Sequence, residues 1–402
     1  MKKLHLLVFI TVSIFAISGC SKKSDEGTQP PTSTGQDLFI AATPSGSFTK
    51  AQLQGFAALN GFGAYAPLIQ YDVDFLNFTY YTTYKGAKIK ASGLLAIPKG
   101  MATAPALLSA QHGTMFADAD APSNFPLSFT GFELFASAGF VTVIPDFIGY
   151  GASKDVVHPY YDAQASAAAV VDMLKAAKYY LQTKSVAINN KLFLVGYSEG
   201  GYVTMAAQKE IETNAANNLA LTAAAEGAGG YDIAGLFGKV ATISTYNNPS
   251  YLALFVQAYN TTYNYNRPLT DFFAPTYAAK IPQLLDGSKN GTQINAELSK
   301  SPSLLFNSTF YGSLTIPTAE AAFKANVAAN SFPNWYPASA TRLYHGTADQ
   351  DVFFETSQST YTRFLAAGAT KLTLTPIPGG THETSVGPMM LDALTWFKTL
   401  AQ

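Results

Sequence analysis

The stretch KLFLVGYSEGGYVTMAA, residues 191–207, places a lone serine between an apolar segment and a helical pattern. KLFLVG is typical of a buried β-strand, and the helix is predicted from Tyr202. The five residues 196–200 fit G-x-S-x-G, in which a strained strand-to-helix corner lifts a serine hydroxyl above the strand ends. The two glycines leave room for close approach of strand and helix, and the main-chain N–H of Glu199 would point at a developing oxyanion. Ser198 is therefore either a turn residue or a nucleophile, and the rest of the chain must decide.

Composition limits the class of protein. The chain has 402 residues, of which 48% are hydrophobic and 13% charged, and its formal net charge is -1. This length allows one large α/β domain with an insertion, or two domains. Because there is no basic field to hold a phosphate backbone, a nucleic-acid partner is not expected.

The N-terminus resembles a bacterial lipoprotein signal. Residues 1–19 have a short basic start and an apolar stretch too short for a membrane span. They precede Cys20, the only cysteine of the chain, which stands where a lipobox carries the lipid-modified residue. The alternative is a simple secretory signal with a chance cysteine. Residues 20–45 are predicted to be a flexible tether, and Ser21 favours the outer membrane, on its periplasmic face or at the cell surface.

Strand and helix patterns alternate through the rest of the chain, residues 46–402. A hairpin is predicted from 73–84 and 88–97, and short apolar strands at ALLSAQ, FVTVIP, KLFLVG, LTAAAEG, TRLYHG and KLTLTPI. Helices are predicted at 161–181, from Tyr202, at 355–367 and at 386–400. This order predicts the α/β class, with a mostly parallel central sheet covered by helices on both faces.

About a hundred residues, roughly 232–340, interrupt the alternation between two predicted strands. Connections in such folds are usually far shorter. The segment is helical in parts and rich in Tyr, Phe and Asn. We expect it to form a mainly helical cap over the carboxyl edge of the sheet.

One histidine stands where a general base is needed. His382, in IPGGTHETS, lies between the last strand and the last helix, at a flexible corner that lets an imidazole reach over the sheet edge. His5 lies in the signal, and His158 precedes a proline in a loop, where a surface or packing role is expected. His112 and His345 each close a strand as His-Gly and are expected to brace loops.

An acid should orient that histidine. Asp349 follows a predicted strand in LYHGTADQDVFF, and Asp351 is close enough to compete with it. Glu226 and Asp232, after the preceding strand, form a second possible location. Any of these could instead be a structural carboxylate, such as an aspartate that caps a loop.

A second oxyanion donor is expected in QHGTMF, after the strand that ends at Gln111. The main-chain N–H of Thr114 is the candidate, with Gly113 as the alternative. No HExxH, CxxC or glycine-rich phosphate loop occurs in the sequence, so a metal or nucleotide cofactor has no support.

Several segments together resemble the α/β-hydrolase serine esterases. SAQHGT, IPDFIGYGAS, LVGYSEGG, LYHGTADQDV and PGGTHE match the successive landmarks of that superfamily. YYTTYKGAKIKASGLLAIPKG and NNPSY are similar to a narrower group, the secretory-lipase-like esterases found as bacterial lipoproteins. In that family the aspartate of G-x-x-D-x-x-V is the triad acid, which implies Asp349 rather than Asp351. The sequence departs from relatives at Glu199, where Gln, Met or His is frequent.

The resemblance implies a lipid-anchored carboxylic-ester hydrolase with a catalytic Ser198, Asp349 and His382 and an acyl-enzyme intermediate. Its substrate would be a small-molecule, lipid or polysaccharide ester. A peptidase of the prolyl-oligopeptidase type shares the fold and triad, but no propeller-like domain precedes the predicted sheet. A non-catalytic surface-binding protein of the same fold is a further alternative. The sequence carries no information on oligomeric state.

Overall fold

The computed structural model describes residue 1 and residues 34–402. In this part of the chain, nine strands form one sheet in the order β1-β2-β3-β5-β4-β6-β7-β8-β9. The strands are β1 (Phe39–Phe48), β2 (Val73–Tyr84), β3 (Ala87–Pro98), β4 (Ala106–Gln111), β5 (Phe140–Pro145), β6 (Leu192–Tyr197), β7 (Ala223–Gly227), β8 (Ala340–Gly346) and β9 (Leu372–Ile377).

The sheet is parallel from β5 onward and antiparallel at its other end. β1, β2 and β3 form a meander, and β3 pairs antiparallel with β5. The pairs β5–β4, β4–β6, β6–β7, β7–β8 and β8–β9 are all parallel. The predicted mostly parallel sheet and the predicted hairpin are therefore confirmed.

Helices lie between the strands, as the alternation predicts. They are α1 (Lys50–Leu59), α2 (Leu134–Ser137), α3 (Ala163–Thr183), α4 (Glu199–Thr213), α5 (Ile233–Val240), α6 (Pro249–Thr262), α7 (Pro275–Ala278), α8 (Ile281–Leu284), α9 (Gly291–Glu297), α10 (Pro302–Leu305), α11 (Ser308–Ser313), α12 (Ala321–Ala329), α13 (Phe354–Ala367) and α14 (Val386–Leu400). Short 3₁₀ turns occur at Gly63–Leu68, Asp118–Asp120, Pro122–Asn124, Gly151–Ser153, Ala215–Asn217 and Leu269–Asp271.

The central strands are buried on both faces, which explains their unbroken apolar sequences. In β6, Phe193 and Val195 belong to one buried cluster with residues of α1, α2 and α14. Leu192 and Leu194 point to the opposite face and pack with residues of α3 and α4. The sheet is thus the middle layer between two groups of helices, and both faces contribute to the hydrophobic core.

The predicted tether is wrong at its end, because β1 begins at Phe39 rather than after residue 45. Pro44 and Gly46 indicate a turn, yet they lie at a register shift in an edge strand, where both residue types are tolerated. The signal and lipidation predictions for residues 1–19 and Cys20 lie outside the described residues, apart from residue 1. Among the residues that the structure describes, no helix is both long enough and apolar enough to cross a membrane.

Two helix starts differ from the prediction. α3 begins at Ala163, because the Asp162 side chain accepts the main-chain N–H of Ala165 and caps the helix there. α4 begins at Glu199 and not at Tyr202. Two consecutive glycines weaken the helical signal of its first turn, although a Cβ would overlap the carbonyl oxygen of Gln111 at Gly200 and that of Gly227 at Gly201.

Residues 232–340, between β7 and β8, contain α5 to α12. The segment has no named strand, only an isolated bridge between Phe273 and Phe306. Its aromatic side chains form much of a large buried cluster, in which Phe255 and Tyr259 stack with ring centroids 4.1 Å apart. The prediction of a mainly helical segment is confirmed, and its role as a cap stays a prediction.

Candidate active site

The predicted site residues lie where strands of the parallel sheet end. Ser198 follows β6, the segment 112–114 follows β4, Asp349 lies three residues beyond β8, and His382 lies beyond β9. Carboxyl ends of parallel strands share one edge of a sheet, so four segments distant in sequence meet there.

The corner that carries Ser198 is strained and tightly packed. Ser198 has φ 58° and ψ -128°, a conformation that costs free energy for a non-glycine residue. Its main-chain N–H donates to the carbonyl oxygen of Gly227 at 2.8 Å. A Cβ added at Gly200 would overlap the carbonyl oxygen of Gln111, and one at Gly196 would overlap the carbonyl oxygen of Gly200. Glycine is therefore required by close approach on both sides of the serine.

Ser198, His382 and Asp349 form one continuous hydrogen-bonded chain. Nε2 of His382 lies 2.8 Å from Oγ of Ser198, and Nδ1 lies 2.6 Å from Oδ2 of Asp349. Because a carboxylate only accepts, Nδ1 carries the ring proton, which leaves Nε2 free to accept the serine hydroxyl proton. All three residues are buried, which strengthens each of these electrostatic contacts.

The carboxylate of Asp349 is fixed in orientation and charge. Its Oδ1 accepts the main-chain N–H groups of Asp351 and Val352, each at 2.9 Å. Burial acts to raise the pKa of Asp349, but hydrogen bonds from His345 and His382 outweigh it and hold the pKa well below its ordinary value. The group is therefore ionised at neutral pH.

The competing acids point elsewhere. Oδ1 of Asp351 accepts the side-chain amide of Asn248 at 2.8 Å. Asp232 caps α5 by accepting the N–H of Gly235 at 2.9 Å. Both carboxyl oxygens of Glu226 are buried with no hydrogen-bond partner among the described residues, and burial raises the pKa of Glu226 well above its ordinary value. Of the acids considered, only Asp349 contacts His382.

Two other histidines brace the loops around the site, as the sequence predicts. His345 is fully buried and contacts Oγ of Ser357 and the carbonyl oxygen of Val352, both at 2.7 Å. Nδ1 of His112 donates to the carbonyl oxygen of Gly113 at 2.7 Å, and the ring stacks on Phe147.

The segment after β4 lies against the serine. A Cβ added at Gly113 would stand 3.7 Å from Cβ of Ser198. The neighbouring Thr114 forms a hydrogen bond between its hydroxyl and that of Tyr160 at 2.8 Å. Glu199 is the first residue of α4, a position whose main-chain N–H has no acceptor within the helix. The choice of Thr114 and Glu199 as oxyanion donors stays a prediction.

The sequence analysis missed the role of His158. Of the surface or packing role that the sequence predicts, the surface alternative is wrong, because His158 is buried; the contact of its Nε2 with Oε1 of Glu199 at 2.6 Å was not predicted. No periodic pattern marks this loop. The one available signal is Glu199 itself, since an acid in the first turn of a buried helix requires a partner.

Two cavities flank His382. A cleft of about 440 Å³ opens on Ser198 and is lined in part by apolar side chains, Met115, Leu127, Phe129, Phe132, Tyr251 and Val386. A polar cavity of about 730 Å³ adjoins the other side of His382. Only the first of these cavities is lined by Ser198.

The family of the chain follows from its match to a protein-family model. The family model described as secretory lipase matches residues 132–400, more than half of the chain. The chain belongs to the secretory lipase family. None of the curated proteins matches it. The predicted resemblance to this family is confirmed.

Solved structures share the fold of this secretory lipase family member. A provisionally assigned hydrolase of Legionella pneumophila has a TM-score of 0.83 and 25% identity, over 90% of this chain and 98% of that one. A ligand-bound form of LipA, a rice cell wall degrading esterase of Xanthomonas oryzae, has a TM-score of 0.76 and 25% identity, over 92% and 97%. Candida antarctica lipase A is similar in fold, with a TM-score of 0.68 at 17% identity, over 92% and 82%.

The fold and the family agree. This secretory lipase family member has the α/β-hydrolase fold and is a carboxylic-ester hydrolase. The prediction of a serine-hydrolase class enzyme that acts on carboxylic esters is confirmed at that level.

Proposed function

We propose that the chain hydrolyses carboxylic esters through an acyl-enzyme intermediate on Ser198, with His382 as general base and acid and Asp349 as its orienting group. The observation that carries the proposal is the hydrogen-bonded chain of these three side chains, at 2.8 Å and 2.6 Å. A serine hydroxyl is a weak nucleophile until a base removes its proton. His382 accepts that proton as Oγ attacks the ester carbonyl carbon.

The rest of the cycle follows from the same geometry. The tetrahedral intermediate carries negative charge on the former carbonyl oxygen, which the main-chain N–H groups of Glu199 and Thr114 would stabilise. His382 then gives its proton to the leaving alcohol oxygen as the C–O bond breaks. Water attacks the acyl-enzyme with His382 again as the base, and the acid leaves as Ser198 regains its proton. Asp349 stabilises the imidazolium form throughout.

The substrate is proposed to be a small-molecule, lipid or polysaccharide ester. LipA is described as a rice cell wall degrading esterase and the Candida protein as a lipase, which supports keeping both polysaccharide and lipid esters in the proposal. The partly apolar cleft at Ser198 supports an acyl group of moderate size. A screen of aryl esters from acetyl to palmitoyl would locate the preferred acyl length.

The helical segment 232–340 is proposed to act as a cap over the site. Tyr251 of α6 lines the cleft at Ser198, and the Tyr246 hydroxyl donates to the carbonyl oxygen of Asp351 at 2.8 Å. These contacts bring the segment to the edge of the sheet that carries the catalytic residues.

Replacement of the nucleophile tests the proposed mechanism. Ser198→Ala should lower the hydrolysis of a chromogenic acyl ester by several orders of magnitude, because removal of a triad member leaves only residual catalysis. A variant with most of the wild-type rate would refute the assignment. Comparison of an aryl ester with a proline anilide separates an esterase from a prolyl-oligopeptidase-like peptidase, since only the peptidase cleaves the anilide efficiently.

The chain is also proposed to be an outer-membrane lipoprotein anchored through Cys20, with residues 1–19 removed as a signal peptide. The support is the sequence alone. Expression of the full chain and of Cys20→Ala in a bacterial host, followed by fractionation and intact mass measurement, tests this. The wild-type chain should stay with membranes, lack residues 1–19 and carry the acyl mass, whereas Cys20→Ala should lack the acyl mass; a wild-type chain without the acyl mass would refute the proposal.

A further inference from the structure

The segment His158-Pro159-Tyr160 contacts both residues that are proposed to bind the oxyanion. Nε2 of His158 lies 2.6 Å from Oε1 of Glu199. Two residues later, the Tyr160 hydroxyl lies 2.8 Å from Oγ1 of Thr114. Glu199 and Thr114 stand on different sheet connections, after β6 and after β4, so one short segment links the two sides of the proposed oxyanion site.

The contact between His158 and Glu199 is buried, and the two side chains share one proton. The two side chains are 8% and 2% exposed. Nδ1 of His158 donates to the carbonyl oxygen of Ile148 at 2.6 Å, and this acceptor requires that Nδ1 carry a proton. One further proton must then lie between Nε2 and Oε1. Wherever it lies, the pair as a whole is neutral, which makes its burial beside the nucleophile acceptable.

Glu199 depends on His158 for its position. Oε2 of Glu199 has no hydrogen-bond partner among the described residues, so the hydrogen bond of this carboxyl group is the one that Oε1 makes with His158. Because Glu199 is the first residue of α4, the direction of its side chain is coupled to the orientation of its own main-chain N–H. Loss of the His158 contact would leave a buried acid unsatisfied and the first turn of α4 free to shift.

Tyr160 holds the other side through a single hydroxyl. Its ring is buried and packs edge-on against Tyr161, with centroids 4.7 Å apart. Its main-chain N–H donates to the carbonyl oxygen of His158 at 2.9 Å, so the two contacts belong to one tight turn. The hydroxyl of Tyr150 adds a bond to the carbonyl oxygen of Met115, the residue after Thr114.

The segment 158–160 is held in place by close packing around His158. The His158 ring lies within a group of aromatic rings, with centroids 4.9 Å from Tyr150 and 6.3 Å from Phe147. Gly149 has φ +100°, and a Cβ there would overlap the His158 main chain. Because His158 and Tyr160 belong to one tightly packed turn, a shift of the His158 contact with Glu199 also shifts the Tyr160 contact with Thr114.

We infer that His158 and Tyr160 are positioning residues that set the oxyanion site from opposite sides, His158 through Glu199 and Tyr160 through Thr114. This rests on the proposed function, in which the N–H groups of Glu199 and Thr114 bind the oxyanion. Interactions that matter only in the transition state change kcat and leave KM nearly unchanged.

Tyr160→Phe removes one hydroxyl and keeps the ring, so it is the cleanest test. We expect kcat to fall about tenfold, less than the 10²–10³ lost when an oxyanion donor is removed outright, with KM within about twofold. Tyr344→Phe is the matched control. It removes the same group from a contact with Asp392 at 2.6 Å, and its kcat should stay at the wild-type value.

A boronic acid provides a second readout. Phenylboronic acid adds to a nucleophilic serine as the serine proton leaves, and the resulting tetrahedral anion mimics the intermediate. Its inhibition constant should rise in Tyr160→Phe by the same factor as kcat falls. His158→Ala should act in the same direction, and His158→Gln, which retains a donor for Glu199, should recover part of the loss.

The outcomes separate this inference from the proposed function. If wild-type protein hydrolyses esters without binding the boronate, both the proposed function and this inference are refuted. If wild-type binds it and Tyr160→Phe leaves kcat and boronate affinity unchanged, this inference alone is overturned. It is also overturned if kcat falls only in step with a lower melting temperature while boronate affinity holds, since that result indicates a merely structural hydroxyl.

Discussion

Replacement of Asp349 by asparagine tests how this side chain controls the protonation of His382. In the wild-type chain Oδ1 of Asp349 accepts two main-chain N–H groups, from Asp351 and Val352. In Asp349→Asn the carboxamide oxygen must keep that place, because the NH₂ group cannot accept a hydrogen bond. The NH₂ group is then turned toward Nδ1 of His382, which has to accept, and the ring proton moves to Nε2.

A proton on Nε2 would remove the proposed general base. Nε2 of His382 lies 2.8 Å from Oγ of Ser198, and once protonated it can only donate to that hydroxyl. The variant thus keeps the two main-chain contacts of this side chain, loses the acceptor that faces Nε2 of His345 at 3.3 Å, and leaves His382 with the wrong tautomer. We expect kcat for an aryl ester to fall about 10⁴-fold, as for the same change in a serine protease of another fold, which corresponds to about 5.4 kcal/mol.

Asp351→Asn is the matched control. Its carboxylate contacts Asn248 and not His382, so kcat should stay within about tenfold of wild type. Initial rates with a chromogenic acetyl ester, together with melting curves of both variants, provide the measurement. A fully folded Asp349→Asn with near wild-type kcat would refute the tautomer argument. A larger fall of kcat in Asp351→Asn than in Asp349→Asn would show that Asp351, and not Asp349, is the acid.

The same variant has a signature in stability. The pKa of Asp349 is lower in the folded chain than its ordinary value of 3.8. The carboxylate therefore stabilises the fold above that pH, and the contribution is lost as pH falls below it. Between pH 5 and pH 2, the difference in unfolding free energy between wild type and Asp349→Asn should shrink. A difference independent of pH would contradict the assigned ionisation.

Three further changes test the surroundings. Burial raises the pKa of Glu226 above its ordinary 4.5, so this group ionises at lower pH in the unfolded chain than in the folded one, and stability falls as pH rises. Glu226→Gln should therefore have a higher melting temperature than wild type at pH 8 and the same melting temperature at pH 4. Gly200→Ala overlaps the carbonyl oxygen of Gln111 and should lose about 1–3 kcal/mol, whereas Gly113→Ala meets only ordinary contacts and should melt as wild type does. Leu127, at the mouth of the cleft, is 94% exposed; Leu127→Ser should raise KM for an octanoyl ester and leave that for acetyl unchanged.

The elements that the sequence predicted well are those with strong local patterns. β6 and α14 follow an unbroken apolar run and a helical period, and α14 has the predicted bounds. β1 was missed because Pro44 and Gly46 are turn formers in most contexts. Only its pairing with β2 at the edge of the sheet makes a strand of it.

The candidate site likewise contains residues that the sequence predicts and a contact that it does not. Ser198, Asp349 and His382 could be predicted because each follows a strand, and a parallel sheet aligns strand ends without further information. The contact of His158 with Glu199 could not, since it joins a loop to a helix 41 residues away through side chains alone. Such a contact depends on the packing of the Phe147 and Tyr150 rings around the imidazole, which no local pattern records.

Covalent labelling of the proposed nucleophile tests the role of Ser198. A fluorophosphonate forms a bond from phosphorus to an activated serine oxygen and expels fluoride, and intact mass with peptide mapping locates the adduct. We predict one adduct per chain, on Ser198, formed in step with the loss of esterase activity and far more slowly in Asp349→Asn. Ester hydrolysis that continues at full rate with Ser198 modified, or an adduct only at another residue, would contradict the account.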